Sequence, residues 1–208
     1  MDTSTYRGLW TALITPFKKG NGIDNDVDYK ALEALLEMQV KWWVTWILLL
    51  GTTAESPTLT NKEWKKIVKF AIKKLKWKCK IMVNLWTYST MKSLKNIKIF
   101  NKIKWIDAYL VVNPYYNKPT QTGLYKHFTT IAKSTAKPDV LYNIRGRTWI
   151  NLETDTLLKI AEKCSNVIWE KEVSGNLKQM KDVIKKHQKD YIVLSWDDGL
   201  VYDLAKIS

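Results

Sequence analysis

The stretch NVIWEKEVSGN, residues 166–176, decides how the chain is read. A short apolar approach over 166–170 reads as a strand with Lys171 at its end. Ser174, Gly175 and Asn176 then turn the chain into a segment of helical spacing. A strand that delivers one reactive side chain to a loop is how a parallel barrel furnishes its mouth. Trp169 and Glu170 stand where a packed strand would hold something small and something apolar.

The same pattern recurs outward from this point. Short apolar runs near 10–15, 46–50, 80–84, 108–112, 139–142, 166–170 and 191–195 read as strands. Amphipathic segments near 26–40, 60–76, 89–104, 121–136, 153–164 and 176–188 read as helices, with a helical stub after Gly199. Thr60 with Glu63 has the form of a capping box, and Ser89 and Thr90 precede another helix. Strict β-α alternation implies a parallel sheet, either doubly wound or closed into a (β/α)8 barrel.

Polar residues choose between the two. Gly51-Thr52-Thr53 follow the second strand, Tyr115-Tyr116-Asn117 the fourth, Tyr142 and Arg147 the fifth, and Lys171 the sixth. Only a barrel gathers the carboxyl ends of all its strands at one mouth. A doubly wound sheet concentrates ligands at one switch point, usually with an early Gly-rich phosphate loop, and none is present. The expected fold is an α/β (β/α)8 TIM barrel, truncated after about seven strands, with residues 1–208 as one incomplete barrel domain.

Composition narrows the function classes. Lys and Arg number 34 against 20 Asp and Glu, a net charge of +14, which raises the question of a polyanionic partner. The lysines at 62, 65, 66, 69, 73 and 74 recur among apolar residues at helical spacing, as on solvated helix faces. No zinc-finger spacing or aromatic-basic RNA signature accompanies them, so no nucleic-acid partner is expected. Cys79 and Cys164 are far apart and form no CxxC motif, which suggests a reduced, cytoplasmic chain. No apolar run is long enough to span a bilayer and no signal-peptide pattern opens the chain, so no membrane is expected.

Lys171 is the candidate nucleophile. A lysine forms an imine with a carbonyl compound only when partly unprotonated, which requires a desolvated pocket. A lone strand-end lysine is otherwise an ordinary surface lysine. Tyr142 is the candidate general acid/base, with Thr52 and Tyr116 to pass its proton on. Each of these residues taken alone is more often structural.

Together they carry a resemblance. ALITPF (12–17), GTTAESPTL (51–59), NPYYNKPTQTGLYKHF (113–128), VLYNIRGRT (140–148) and KEVSGN (171–176) resemble the dihydrodipicolinate synthase family. These are pyruvate-dependent class I aldolases of the N-acetylneuraminate lyase superfamily, and the likeness runs in order from about Gly8 to Leu204. It implies a lyase that condenses pyruvate with L-aspartate 4-semialdehyde to 4-hydroxy-tetrahydrodipicolinate, in lysine and diaminopimelate biosynthesis. It makes Lys171 the imine-forming residue and Tyr142 the proton donor and acceptor. Thr52 and Tyr116 complete the relay, with the Tyr116 loop reaching across a dimer interface. Thr53 binds the pyruvate carboxylate and Arg147 the semialdehyde carboxylate, a task suited to a bidentate fork. The resemblance implies no metal and no cofactor beyond the lysine imine, and a homo-oligomer, a tetramer in the family. The family's C-terminal helical domain is expected to be absent.

The chain departs from the family at particular places. Its 11 Trp outnumber its 8 Gly. Trp10, Trp42, Trp43, Trp46, Trp77, Trp86, Trp149, Trp169 and Trp196, with Trp105 as a tenth, stand where the family pattern has glycine. Arg145 replaces a turn proline, and Glu170 an aliphatic strand residue. The regularity suggests gene decay or UGA codons translated as tryptophan. Overpacking at such sites costs about 1–3 kcal/mol each, and Trp86 and Trp196 are expected near the barrel mouth. The competing readings are an inactive, degenerate relative and another pyruvate aldolase such as N-acetylneuraminate lyase; Thr52, Thr53 and the Arg147 block favour the dihydrodipicolinate branch.

Overall fold

The computed structural model describes residues 8–20, 25–85, 87–187, 192–195 and 198–206. They form two compact units, one of residues 8–84 with 102–108, the other of 85–101 with 109–206.

In the first unit the chain runs β1 (Trp10–Ala12), α1 (Tyr29–Lys41), β2 (Trp46–Leu49), α2 (Asn61–Leu75), β3 (Lys80–Asn84). The strands are parallel and pair in sequence order, Trp10 opposite Trp46 and Trp46 opposite Lys80. β2 is buried along its whole length, which is why it reads as a continuous apolar run rather than an alternating one. The capping box forms as expected: the Glu63 N–H donates to Thr60 Oγ1 at 3.3 Å and the Thr60 N–H to Glu63 Oε2 at 2.8 Å. From that start α2 buries Trp64, Ile67, Val68, Ala71, Ile72 and Leu75 and leaves Lys62, Lys65, Lys66, Lys69 and Lys73 in solvent. The lysine excess on this helix is therefore a solvated face.

The second unit contains α3 (Thr90–Phe100), β4 (Ala108–Val112), α4 (Gln121–Ala132), β5 (Asp139–Asn143), α5 (Arg145–Thr148), α6 (Thr154–Lys163), β6 (Val167–Glu172), α7 (Leu177–Lys186), β7 (Ile192–Ser195) and α8 (Val201–Ala205). β4 to β7 are parallel and pair in sequence order. β1 is shorter than the 10–15 run suggests. β6 is longer, ending at Glu172, so Lys171 lies inside the strand and not beyond it. The one-turn α5 has no periodicity to announce it; Arg145 opens it at the position where proline is well tolerated. Among the described residues no helix is long and apolar enough to cross a membrane.

The pairing of β6 with β5 is irregular. Asp139 pairs with Val167, but Val140 pairs with Trp169, so Ile168 is an extra residue and the register shifts by one. Without the shift Tyr142 would face Glu170; with it Tyr142 faces Lys171. Because side chains alternate across a strand, a slip of one residue exchanges its two faces.

The overpacking expected of the tryptophans needs correction. Trp42, Trp43, Trp77, Trp105 and Trp149 are solvent-exposed, so their indoles crowd no core. Their burden is on the backbone: Trp43, Trp77, Trp105 and Trp149 have φ between 50° and 73°, the left-handed region that costs a residue with a Cβ about 1–3 kcal/mol. Trp46 is fully buried, stacked on Trp10 with centroids 4.3 Å apart and planes 7° from parallel. Trp86 and Trp196 lie outside the described residues.

Glu170 is fully buried, and no donor reaches either carboxyl oxygen. Burial, and then the Glu172 carboxylate beside it, push its pKa well above the usual carboxylate range. A raised folded-state pKa gives stability that is complete below the unfolded value, 4.5, and is lost as pH rises above it. Thermal melts should therefore show stability falling with rising pH from about that point. Glu170→Leu should raise the melting temperature at neutral pH and flatten that slope.

Candidate active site

The second unit carries the candidate chemistry where β5 meets β6. Tyr142 and Lys171 are register partners on adjacent strands, and the Lys171 Nζ lies 4.6 Å from the centroid of the Tyr142 ring. Lys171 is 9% exposed and Tyr142 4%. Burial lowers the Lys171 pKa from 10.5 to about 7, because an ammonium loses hydration that a neutral amine does not need. A large fraction of this amine is thus unprotonated near neutrality, the state in which nitrogen attacks a carbonyl carbon.

The other residues singled out in the sequence lie further from this pair along the chain. Arg147 is exposed on α5, five residues beyond Tyr142. Tyr116, in the loop after β4, is 87% exposed, with its ring 6.3 Å from that of Tyr88. Within this unit the structure therefore brings Lys171 and Tyr142 together and leaves Arg147 and Tyr116 in solvent. In the first unit Thr52 and Thr53 occupy a single 3-10 turn (Thr52–Ala54) directly after β2 and Gly51, Thr52 half-buried and Thr53 exposed.

Sequence reasoning missed a polar ladder one residue further along each strand. Asn113 follows β4, Asn143 follows Tyr142 and Glu172 follows Lys171, and all three are fully buried. Asn113 Nδ2 donates to Asn143 Oδ1 at 2.9 Å, and Asn143 Nδ2 donates to Glu172 Oε2 at 2.9 Å. Gln179 Nε2 donates to the same carboxylate at 3.2 Å, and the Ser174 N–H reaches its other oxygen at 2.5 Å. Asn143 is also held by Asn151 Oδ1 at 3.0 Å and by the Leu152 N–H at 3.0 Å. Donors surrounding a buried carboxylate are the stronger class of hydrogen bond. The signal was present in N-P-Y-Y, Y-N and K-E, where Asn113 directly follows its strand and Asn143 and Glu172 close theirs.

Residues 5–208 match the dihydrodipicolinate synthetase family. The chain belongs to that family. It is 42% identical over 201 residues to the 4-hydroxy-tetrahydrodipicolinate synthase of Parabacteroides distasonis, covering 97% of this chain and 66% of that protein. The Endomicrobium trichonymphae protein of the same name is 45% identical over 202 residues, with 97% and 67% covered. Among solved structures, dihydrodipicolinate synthase from Aquifex aeolicus superposes with a TM-score of 0.90 at 38% identity, covering 97% of this chain and 67% of that one. The Acinetobacter baumannii enzyme, solved complexed with pyruvate, gives 0.90 at 33% identity over 97% of this chain and 67% of its own. The chain thus spans about two thirds of the length of its dihydrodipicolinate synthetase relatives. The fold class is α/β of the (β/α)8 barrel type, and the described residues contain seven of its strands.

Removing the ring that covers the amine should rehydrate it. In Tyr142→Ala the pH midpoint for acylation of Lys171, followed by peptide mass, is expected to rise from about 7 towards its ordinary value.

Proposed function

We propose that this chain performs the imine chemistry of a 4-hydroxy-tetrahydrodipicolinate synthase, condensing pyruvate with L-aspartate 4-semialdehyde. The observation that carries the reading is the buried Lys171 amine, lowered to about 7, against the face of Tyr142. Family membership, and a neighbour of the same fold solved with pyruvate, support it.

The unprotonated Lys171 amine attacks the keto carbon of pyruvate, and its electron pair forms the new C–N bond. Tyr142 gives a proton to the carbinol oxygen, which leaves as water, and the iminium remains on Lys171. Loss of a methyl proton yields the enamine, whose carbon attacks the aldehyde of the second substrate. The amine of the condensed product then displaces Lys171 as the ring closes. Thr52 and Tyr116 relay the proton on Tyr142, Thr53 binds the pyruvate carboxylate, and Arg147 binds the semialdehyde carboxylate. The exposure of Tyr116 and Arg147 leaves both free to meet an incoming substrate or a second copy of the chain, so a homo-oligomer belongs to the proposal. The reaction uses the lysine imine in place of a separate cofactor. Cys79 and Cys164 are both free thiols, which agrees with a reducing, cytoplasmic setting.

Pyruvate with borohydride should leave a reduced adduct on the peptide bearing Lys171, and none in Lys171→Ala. Because the nucleophile is the neutral amine, the trapping rate should climb with pH through about 7 and level off above it. An unmodified Lys171 peptide after this treatment sinks the proposal. Arg147→Ala is expected to keep pyruvate trapping while raising KM for the semialdehyde by roughly ten- to a hundredfold, the scale of one charge-assisted contact.

A further inference from the structure

We propose that Glu172 is a positioning residue for Lys171, setting where its amine stands and how readily it loses its proton; this rests on the imine chemistry proposed for Lys171. Side chains alternate along β6, so Lys171 projects to one face while Glu170 and Glu172 share the other. The amine therefore cannot be placed by a direct contact from Glu172 and must be placed through the strand. Glu172 is fitted for that task. Its Oε2 receives Asn143 from β5 and Gln179 from α7, and its Oε1 receives the Ser174 N–H from the turn beyond the strand. One carboxylate thereby ties together the end of β5, the end of β6 and the helix after it. The Val173 N–H also donates to the Asn143 carbonyl at 2.8 Å, closing the pair just beyond Tyr142 and Lys171.

The neighbouring residue shows why the carboxylate is specific to this position. Glu170, on the same face, has no donor, whereas Glu172 is surrounded by donors. The register shift at Ile168 leaves the pairing of Tyr142 with Lys171 dependent on whatever fixes the strand after it, and the ladder begins one residue later. If Glu172 is lost, Asn143 and Gln179 each lose a buried acceptor and β6 is freed at the point from which Lys171 projects.

The experiment compares wild type, Glu172→Ala and Glu172→Gln by pyruvate trapping at Lys171 across pH, with melting temperature recorded for each. Expected is a trapping rate at least tenfold lower in Glu172→Ala, with the pH midpoint displaced upwards from that of wild type. Glu172→Gln, which keeps one acceptor oxygen, should fall between the two. A merely structural role would lower the melting temperature and leave the midpoint of the folded fraction unmoved, and that result overturns the proposal. Wild-type rate and midpoint in both variants also overturn it. Should Glu172→Ala lose its cooperative melt, the midpoint of Glu172→Gln decides. Failure of wild type to be trapped removes the imine reading itself and this inference with it.

A second inference stands on the backbone and is independent of the chemistry. The N–H of Trp43 donates to Val40 O and that of Val44 to Gln39 O, the double bond of a Schellman motif closing α1, whose left-handed slot glycine ordinarily fills. Trp43 occupies that slot at φ 50°, and Trp77, Trp105 and Trp149 repeat the conformation at 73°, 71° and 58°. Trp64 is the contrast: buried in α2, with its indole N–H donating to Ser56 O at 3.0 Å. We infer that the source cell decodes these four positions as glycine. Mass spectrometry of the chain isolated from its own cells is expected to show glycine at 43, 77, 105 and 149 and tryptophan at 64. The quadruple variant W43G/W77G/W105G/W149G should melt higher than the tryptophan form, and W64G lower. Tryptophan masses at the four positions, or a quadruple variant that melts no higher, overturn the inference.

Discussion

The one-residue shift in register between β5 and β6 is the constraint on which the candidate site depends. Val167 opposite Asp139 would, continued without a break, set Glu170 against Tyr142; the extra residue at Ile168 substitutes Lys171. A slip of one residue inverts both faces of a strand. Its consequences here are large, since one face of β6 holds a lysine and the other two glutamates. With the register as it stands, Lys171 is buried against an aromatic face and its ammonium is destabilised, while Glu172 enters a set of donors contributed by β5, α7 and the next turn.

Both faces are polar and both are buried, yet the three side chains differ in how their polarity is met. Glu172 is compensated by donors from Asn143, Gln179 and the Ser174 N–H, whereas no such donor reaches Glu170, which holds its proton beside the Glu172 carboxylate. Lys171 responds in the opposite sense and releases its proton easily. Burial disfavours charge whatever its sign. Desolvation thus favours the neutral amine that the proposed imine chemistry requires at Lys171, and is costly at Glu170.

The fold was largely legible in the sequence because its signals are local. Apolar runs separated by amphipathic segments placed the strands and helices, and Thr60 and Ser89 marked two helix starts where caps form. Lys171 and Tyr142 were legible through their motif blocks. The bulge at Ile168 was not, since a register shift is a relation between two strands and leaves no period in either. The ladder of Asn113, Asn143 and Glu172 was missed for a related reason: each residue looks like an ordinary polar strand terminus until the three ends are set side by side. For the tryptophans the sequence drew attention to the correct positions and suggested the wrong penalty. Bulk was the expected problem, but at the exposed sites the structure directs the indoles into solvent and places the strain in φ.

The central claim is that the fold itself makes Lys171 a neutral nucleophile before any substrate arrives. NMR titration of the Lys171 side chain, in the chain without substrate, tests this most directly. The account requires a midpoint of about 7, far below the ordinary lysine value of 10.5. A midpoint near the ordinary value would show a hydrated, protonated lysine and contradict the account.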